Sequence, residues 1–149
     1  RGGTACLSKA GLAIGTTPAE LSIAAPNGAG VDFAINGIIY HFADDATVAV
    51  TAAAVQAVLT KCIYLVCLST TGALTTVKGT AVLTADLTAG TKVLEWPTPT
   101  ADTCCIGAFK VETKAAGTYT AGTTALTPAA TLAVTYYDLF SVPVAPLTS

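Results

Sequence analysis

Charge is scarce in this chain. Seven Lys and Arg and nine Asp and Glu among 149 residues make 11% charged, less than half the usual share. With a formal net charge of -2 and a pI near 5.1, there is no cationic stripe to neutralise a phosphate backbone, so no nucleic-acid partner is expected. Histidine occurs once, as His41, and no Cys-x-x-Cys is present, so the paired soft ligands of a zinc site at the usual spacing are missing. Long apolar runs are missing too. Residues 115–137 carry no charge but are interrupted by Thr, Gly and Pro128, and residues 62–77 are broken by Ser69, Thr70, Thr71 and Gly72. Neither supplies the ~20 predominantly apolar residues of a spanning helix, and no membrane partner is expected. The start Arg1-Gly2-Gly3-Thr4 lacks the apolar stretch of a signal peptide, and methionine is absent throughout. An opening on Arg1 is expected either from removal of a leader or from trimming.

What is abundant is small and apolar. The apolar fraction is 52% and the mean hydropathy +0.64, which excludes a disordered chain. At this length one domain can bury roughly two-thirds of its unfolded surface without a metal or disulfide staple. Ala, Thr and Gly together make up nearly half of the residues. Thr favours strands, while Ala and Gly let backbones approach closely but bury little area each. Such a surface, with so few charges to keep a monomer soluble, points to an assembly subunit whose apolar surface is covered by neighbouring copies.

Read in order, residues 1–30 show no sustained period of 2 or 3.6 and carry Pro18 and Pro26, which predicts an extended N-terminal arm. Two β-rich runs, Val31–Ile35 and Ile38–Phe42, are separated by Asn36-Gly37, the dipeptide best suited to a type I′ hairpin turn. A short strand over 47–50 follows, then an Ala-rich helix over 52–59 capped by Thr51. Residues 62–68 form a dense apolar run, read as a central strand buried on both faces, with 70–73 as its turn and Leu74–Lys78 as the return strand. A helical turn is predicted from Thr84 to Gly90, a strand over 92–96, and a strand over 105–112 with one solvent face. The last strand spans 132–137. The reading is a mainly β fold: an antiparallel β-sandwich or barrel-like domain over 31–141 with one or two short helices, an arm over 1–30 and a C-terminal tail over 142–149.

The candidate chemistry is thin. Cys6, Cys62, Cys67, Cys104 and Cys105 read as buried free thiols or as one disulfide joining the 62–67 and 104–105 segments. In extended strands Cys62 and Cys67 face opposite sides, as do Cys104 and Cys105, which argues against a shared metal. A cysteine hydrolase would need His41 as base, oriented by Asp44 or Asp45, yet no nucleophile elbow or Gly-rich oxyanion loop accompanies them. No enzyme activity, catalytic residue, cofactor or metal is expected. Asp44-Asp45 alone is a weak calcium signal. Trp96, ahead of Pro97-Thr98-Pro99, and the pair Tyr136-Tyr137 either stack on carbohydrate or close the edge of a core.

Several short strings resemble one kind of protein: Phe33-Ala34-Ile35-Asn36-Gly37, Tyr64-Leu65-Val66 followed by Gly72, Val77-Lys78-Gly79-Thr80-Ala81, Trp96-Pro97-Thr98-Pro99, Ile106-Gly107-Ala108 and Ala121-Gly122-Thr123-Thr124. The pattern resembles small virion proteins of tailed bacteriophages, the head decoration (cement) and head-fibre proteins. The resemblance spans about Val31 to Asp138. It implies a non-enzymatic, β-rich subunit on the outside of an icosahedral capsid, commonly a homotrimer, with itself and the major capsid protein as partners. Five cysteines are many for assembly in a reducing cytoplasm. The alternative is therefore a self-assembling extracellular filament or pilin-like subunit, one arm supplying a strand to the next copy.

Overall fold

A computed structural model describes residues 3–148; Arg1 and Gly2 of the expected arm and Ser149 of the expected tail lie outside the described residues. The chain is mainly β, and the described residues form three antiparallel sheets and one short helix, with no closed barrel among them.

The predicted hairpin forms with the expected register. Strand β4 (Val31–Ile35) pairs with β5 (Ile38–Phe42) so that Ile35 faces Ile38 across the two-residue turn. Asn36 and Gly37 both take positive φ, 51° and 81°, which is the type I′ requirement. Strand β1 (Ala5–Cys6) joins the other side of β4, completing a three-stranded sheet with β5 at one edge. A second sheet is built from β2 (Leu12–Ile14), β3 (Leu21–Ile23) and β6 (Asp45–Val48) in that order.

The third sheet is the centre of the molecule. Its strands are β7 (Thr60–Ser69), β8 (Leu74–Lys78), β9 (Val82–Leu83), β10 (Thr103–Thr113) and β11 (Leu132–Asp138). They run in the order β11-β10-β7-β8, and β9 pairs with the first residues of β7. The apolar run 62–68 is fully buried, as its composition predicts for a strand covered on both faces. One face carries Cys62, Tyr64, Val66 and Leu68 into the larger core, which also takes in Leu12, Leu21, Ile23, Val31 and Phe33. The other face sends Ile63, Leu65 and Cys67 into a smaller core closed by helix α1 (Thr84–Ala89) through Leu87, by Leu94, and by the tail residues Val142 and Leu147.

Several expectations are corrected. The residues expected to form an arm fold onto the chain's own core: Leu12, Leu21 and Ile23 are buried beside Tyr64 and Ile106. Three strands of two, three and three residues are too short to reveal a period in sequence. No helix forms over 52–59. There Gln56 is fully buried, donating its amide to the Val111 and Thr60 carbonyls and accepting from the Tyr64 hydroxyl, so tertiary hydrogen bonds override alanine's helical preference. Thr51 caps nothing; its N–H and hydroxyl exchange hydrogen bonds with Thr76 at 3.0 and 2.9 Å. The expected strand over 92–96 is reduced to one bridge between Leu94 and Leu147. The strand over 105–112 has no solvent face along its first half, since Cys104 to Phe109 are buried. A register shift between Cys105 and Gly107 moves the alternation by one, so Cys105 and Ala108 face the smaller core while Ile106 and Phe109 face the larger.

Candidate functional site

His41 stands opposite Asp32 on the outward face of the β4–β5 hairpin, with Nδ1 2.6 Å from the carboxylate. The hydrogen bond to Asp32 pushes the imidazole above its ordinary pKa. Asp44 and Asp45, the orienting groups expected from sequence, are engaged elsewhere: Asp44 accepts the Ala25 N–H at 2.8 Å and Asp45 the Thr47 N–H at 2.9 Å. A carboxylate that caps a loop in this way is a structural acceptor. Among the described residues no group of three or more His, Cys, Asp and Glu could hold a metal ion.

All five cysteines are free and buried. Cys6, which pairs in register with Phe33, faces the larger core, the side opposite His41; its Sγ lies 2.9 Å from the Ser8 carbonyl oxygen. The structure therefore brings no thiol to the histidine. Burial pushes the Cys6 thiol up, Cys62 up to about 11 and Cys104 up to about 12, which keeps each of them protonated near neutral pH. The remaining two differ. Cys67 and Cys105 are direct partners across the β7–β10 ladder, and their interaction pushes the Cys67 thiol below its ordinary pKa and the Cys105 thiol above it; the Cys105 thiol donates to the Gly107 carbonyl at 3.5 Å.

The aromatic candidates close cores. Trp96 packs against the smaller core, edge-on to Tyr137 at 6.0 Å between centroids, and its indole N–H donates to the Ala145 carbonyl at 3.0 Å. Tyr136 packs on the larger core and Tyr137 on the smaller, the alternation expected of neighbours in a strand.

The most distinctive surface lies at the start of β7. Leu59 is held at φ 55°, a left-handed conformation that favours Gly or Asn, and yet its side chain is half exposed. Its carbonyl accepts the Thr84 N–H at 2.9 Å, which locks it beside β9 and the first turn of α1. Leu83, also half exposed, joins it. Together with Thr84, Ala85, Thr88 and Ala89 they line an open apolar shelf of about 530 Å³ that contains no charged residue. Val55 and Val58, nearby in sequence, are exposed as well. A second exposed apolar group is the hairpin end, where Ile38 and Ile39 are 60% and 69% accessible. Sequence reasoning missed the shelf because it placed Val55, Val58 and Leu59 on a helix, and no local pattern announces a leucine in a left-handed bend.

No helix among the described residues is long and apolar enough to cross a membrane, a statement that does not bear on β-barrels. Compared with known proteins, the chain matches no family model, no curated protein and no solved structure.

Proposed function

We propose that the chain is a non-enzymatic virion structural protein, a decoration (cement) subunit that binds the outer surface of an icosahedral capsid and associates with copies of itself, commonly as a trimer. The observation that carries this reading is the shelf around Leu59. A strained backbone that presents a leucine to solvent, in a surface with no charged lining, stabilises neither the isolated chain nor its solubility. Burying such a surface against another protein removes that apolar area from water at roughly 25 cal/mol per Å². The exposed Ile38 and Ile39 at the edge strand β5 offer a second contact of the same kind. The filament alternative needs an arm free to enter the next copy. Here β1, β2 and β3 already pair within the chain, which favours docking of a finished fold over strand donation.

Co-sedimentation with capsid shells from the source particle tests the reading, with Leu59→Asn and Leu83→Asp beside the native chain. Asn tolerates the left-handed bend, so Leu59→Asn is expected to keep the melting temperature and to lose shell binding. Native protein that stays in the supernatant at saturating shell concentration, or variants that bind as well as native, would remove the proposal.

A further inference from the structure

Cys67 and Cys105 stand out among the buried groups because they are placed to react with each other. They are register partners in adjacent antiparallel strands, and both point into the smaller core. Directly opposed residues of an antiparallel pair have Cα atoms about 4.5–5.5 Å apart, inside the range a disulfide spans. Cys104 and Cys62, by contrast, face the other core opposite Leu68 and Val111. Access comes from the side of Cys105. It is 6% exposed, against 1% for Cys104, and the two line a cleft of about 260 Å³ together with Pro99, Thr103, Phe140 and Val142.

We propose that Cys67 and Cys105 form an oxidative modification site, joined by a small peroxide into a cross-strand disulfide. The Cys67 thiolate attacks one peroxide oxygen, the O–O bond breaks, and the departing hydroxide leaves as water with the proton the thiol gave up. Cys67 is then a sulfenic acid. The Cys105 sulfur displaces hydroxide from it; the S–S bond forms, the S–O bond breaks, and the Cys105 proton leaves in a second water. Two electrons pass from the thiol pair to the peroxide. Peroxide enters past Cys105 to reach Cys67, its direct register partner, and Cys67 attacks first because its interaction with Cys105 favours the ionised form at Cys67 and opposes it at Cys105. The result would be a covalent tie across β7 and β10, the two central strands, and a chain more resistant to unfolding. This site is independent of the shelf and of capsid binding.

The experiment is titration of the folded chain with hydrogen peroxide, alkylation of the remaining thiols, and peptide mapping without reductant. Trypsin places Cys62 with Cys67 in one peptide and Cys104 with Cys105 in another, so the assignment uses the Cys62→Ala, Cys104→Ala double variant. A link between those two peptides in that variant, the loss of two hydrogens from the intact mass, and a raised melting temperature are expected. Fragment-ion sequencing of the linked native peptides gives the same assignment should the variant fold poorly. Sulfinic or sulfonic acid at Cys67 without a link, a link from Cys6 to Cys104, or a link that forms only in denaturant would overturn the proposal.

Discussion

At the scale of single residues, what matters is which polar atoms are used up and which spaces are already filled. His41 is hydrogen-bonded to the Asp32 carboxylate across the hairpin, and that contact, with smaller help from the Ala29 backbone and the Asp44 charge, raises its pKa. A group whose folded pKa is raised stabilises the fold fully below its unfolded value, near 6.5, and loses that contribution as pH rises through the folded value. Asp32→Asn is expected to bring the His41 midpoint down toward that of an unperturbed histidine, followed by NMR of the imidazole. An unmoved midpoint would show that the carboxylate is not the cause. Gly107 is fixed by the opposite constraint, that of space. A Cβ there would meet the Leu12 side chain and the Tyr137 carbonyl oxygen, at the point where β10 shifts register. Gly107→Ala is expected to cost about 1–3 kcal/mol by overpacking, read from urea unfolding. A loss below a few tenths would mean that the Leu12 side chain rotates away and the β11 backbone at Tyr137 shifts as well.

At the scale of elements, the hairpin and the buried polar bend make the sharpest contrast. Asn36-Gly37 was legible because a type I′ turn needs two positive-φ residues in a row and few sequences supply them. Gly37→Val is expected to cost about 1–3 kcal/mol and to lower the melting temperature by several degrees, since a β-branched side chain cannot relax at φ 81°. The central strand, the return strand after Gly72, the helical turn at Thr84 and the last strand were legible for similar local reasons, apolar density and turn residues. The bend over 52–59 was not. Its composition favours helix, but its conformation is set by Gln56, whose partner Val111 is distant in sequence and whose partner Tyr64 lies in the next strand, and by Thr60 and Thr113, whose hydroxyls share the Ala57 carbonyl. No local rule finds a partner 55 residues away. Gln56→Ala would remove the bonds to the Val111 and Thr60 carbonyls and take the acceptor from the buried Tyr64 hydroxyl, an expected loss of about 2–4 kcal/mol. Equilibrium unfolding checks it, and a neutral result would imply that water enters in place of the amide. The same long-range pairing explains why the candidate surface was hidden: Leu59 takes its left-handed bend only because Thr84 and Thr60 fix the chain on either side of it.

At the scale of the whole molecule, the question is what the first thirty residues do. Composition alone suggested an arm waiting for a partner, because scattered apolar side chains without a period have no obvious place in a local element. The chain instead wraps that segment over one face of the central sheet. Leu21, Ile23 and Ala10 are fully buried, the Leu12 N–H donates to the Asp138 carboxylate at 3.0 Å, and the Cys6 N–H donates to the Phe140 carbonyl at 2.8 Å. The segment thus ties the N-terminal strands to the last strand, from the two ends of the sequence. Ordering a segment of this length costs about 1–2 kcal/mol per residue, so it stays in place only if its burial is intrinsic to the chain. Limited proteolysis of the isolated protein at micromolar concentration, with light scattering to fix its oligomeric state, separates the alternatives. Residues 5–25 are expected to be protected in the isolated chain as well as on the particle, and Leu21→Ala to destabilise the protein by about 2–5 kcal/mol. Under the proposed docking to a capsid shell, hydrogen exchange in the bound chain is expected to slow at residues 55–59 and 83–89 and to change little over 5–25. Rapid trimming of the first twenty-five residues from an intact, folded chain would show that they are held by a neighbour and not by the core described above.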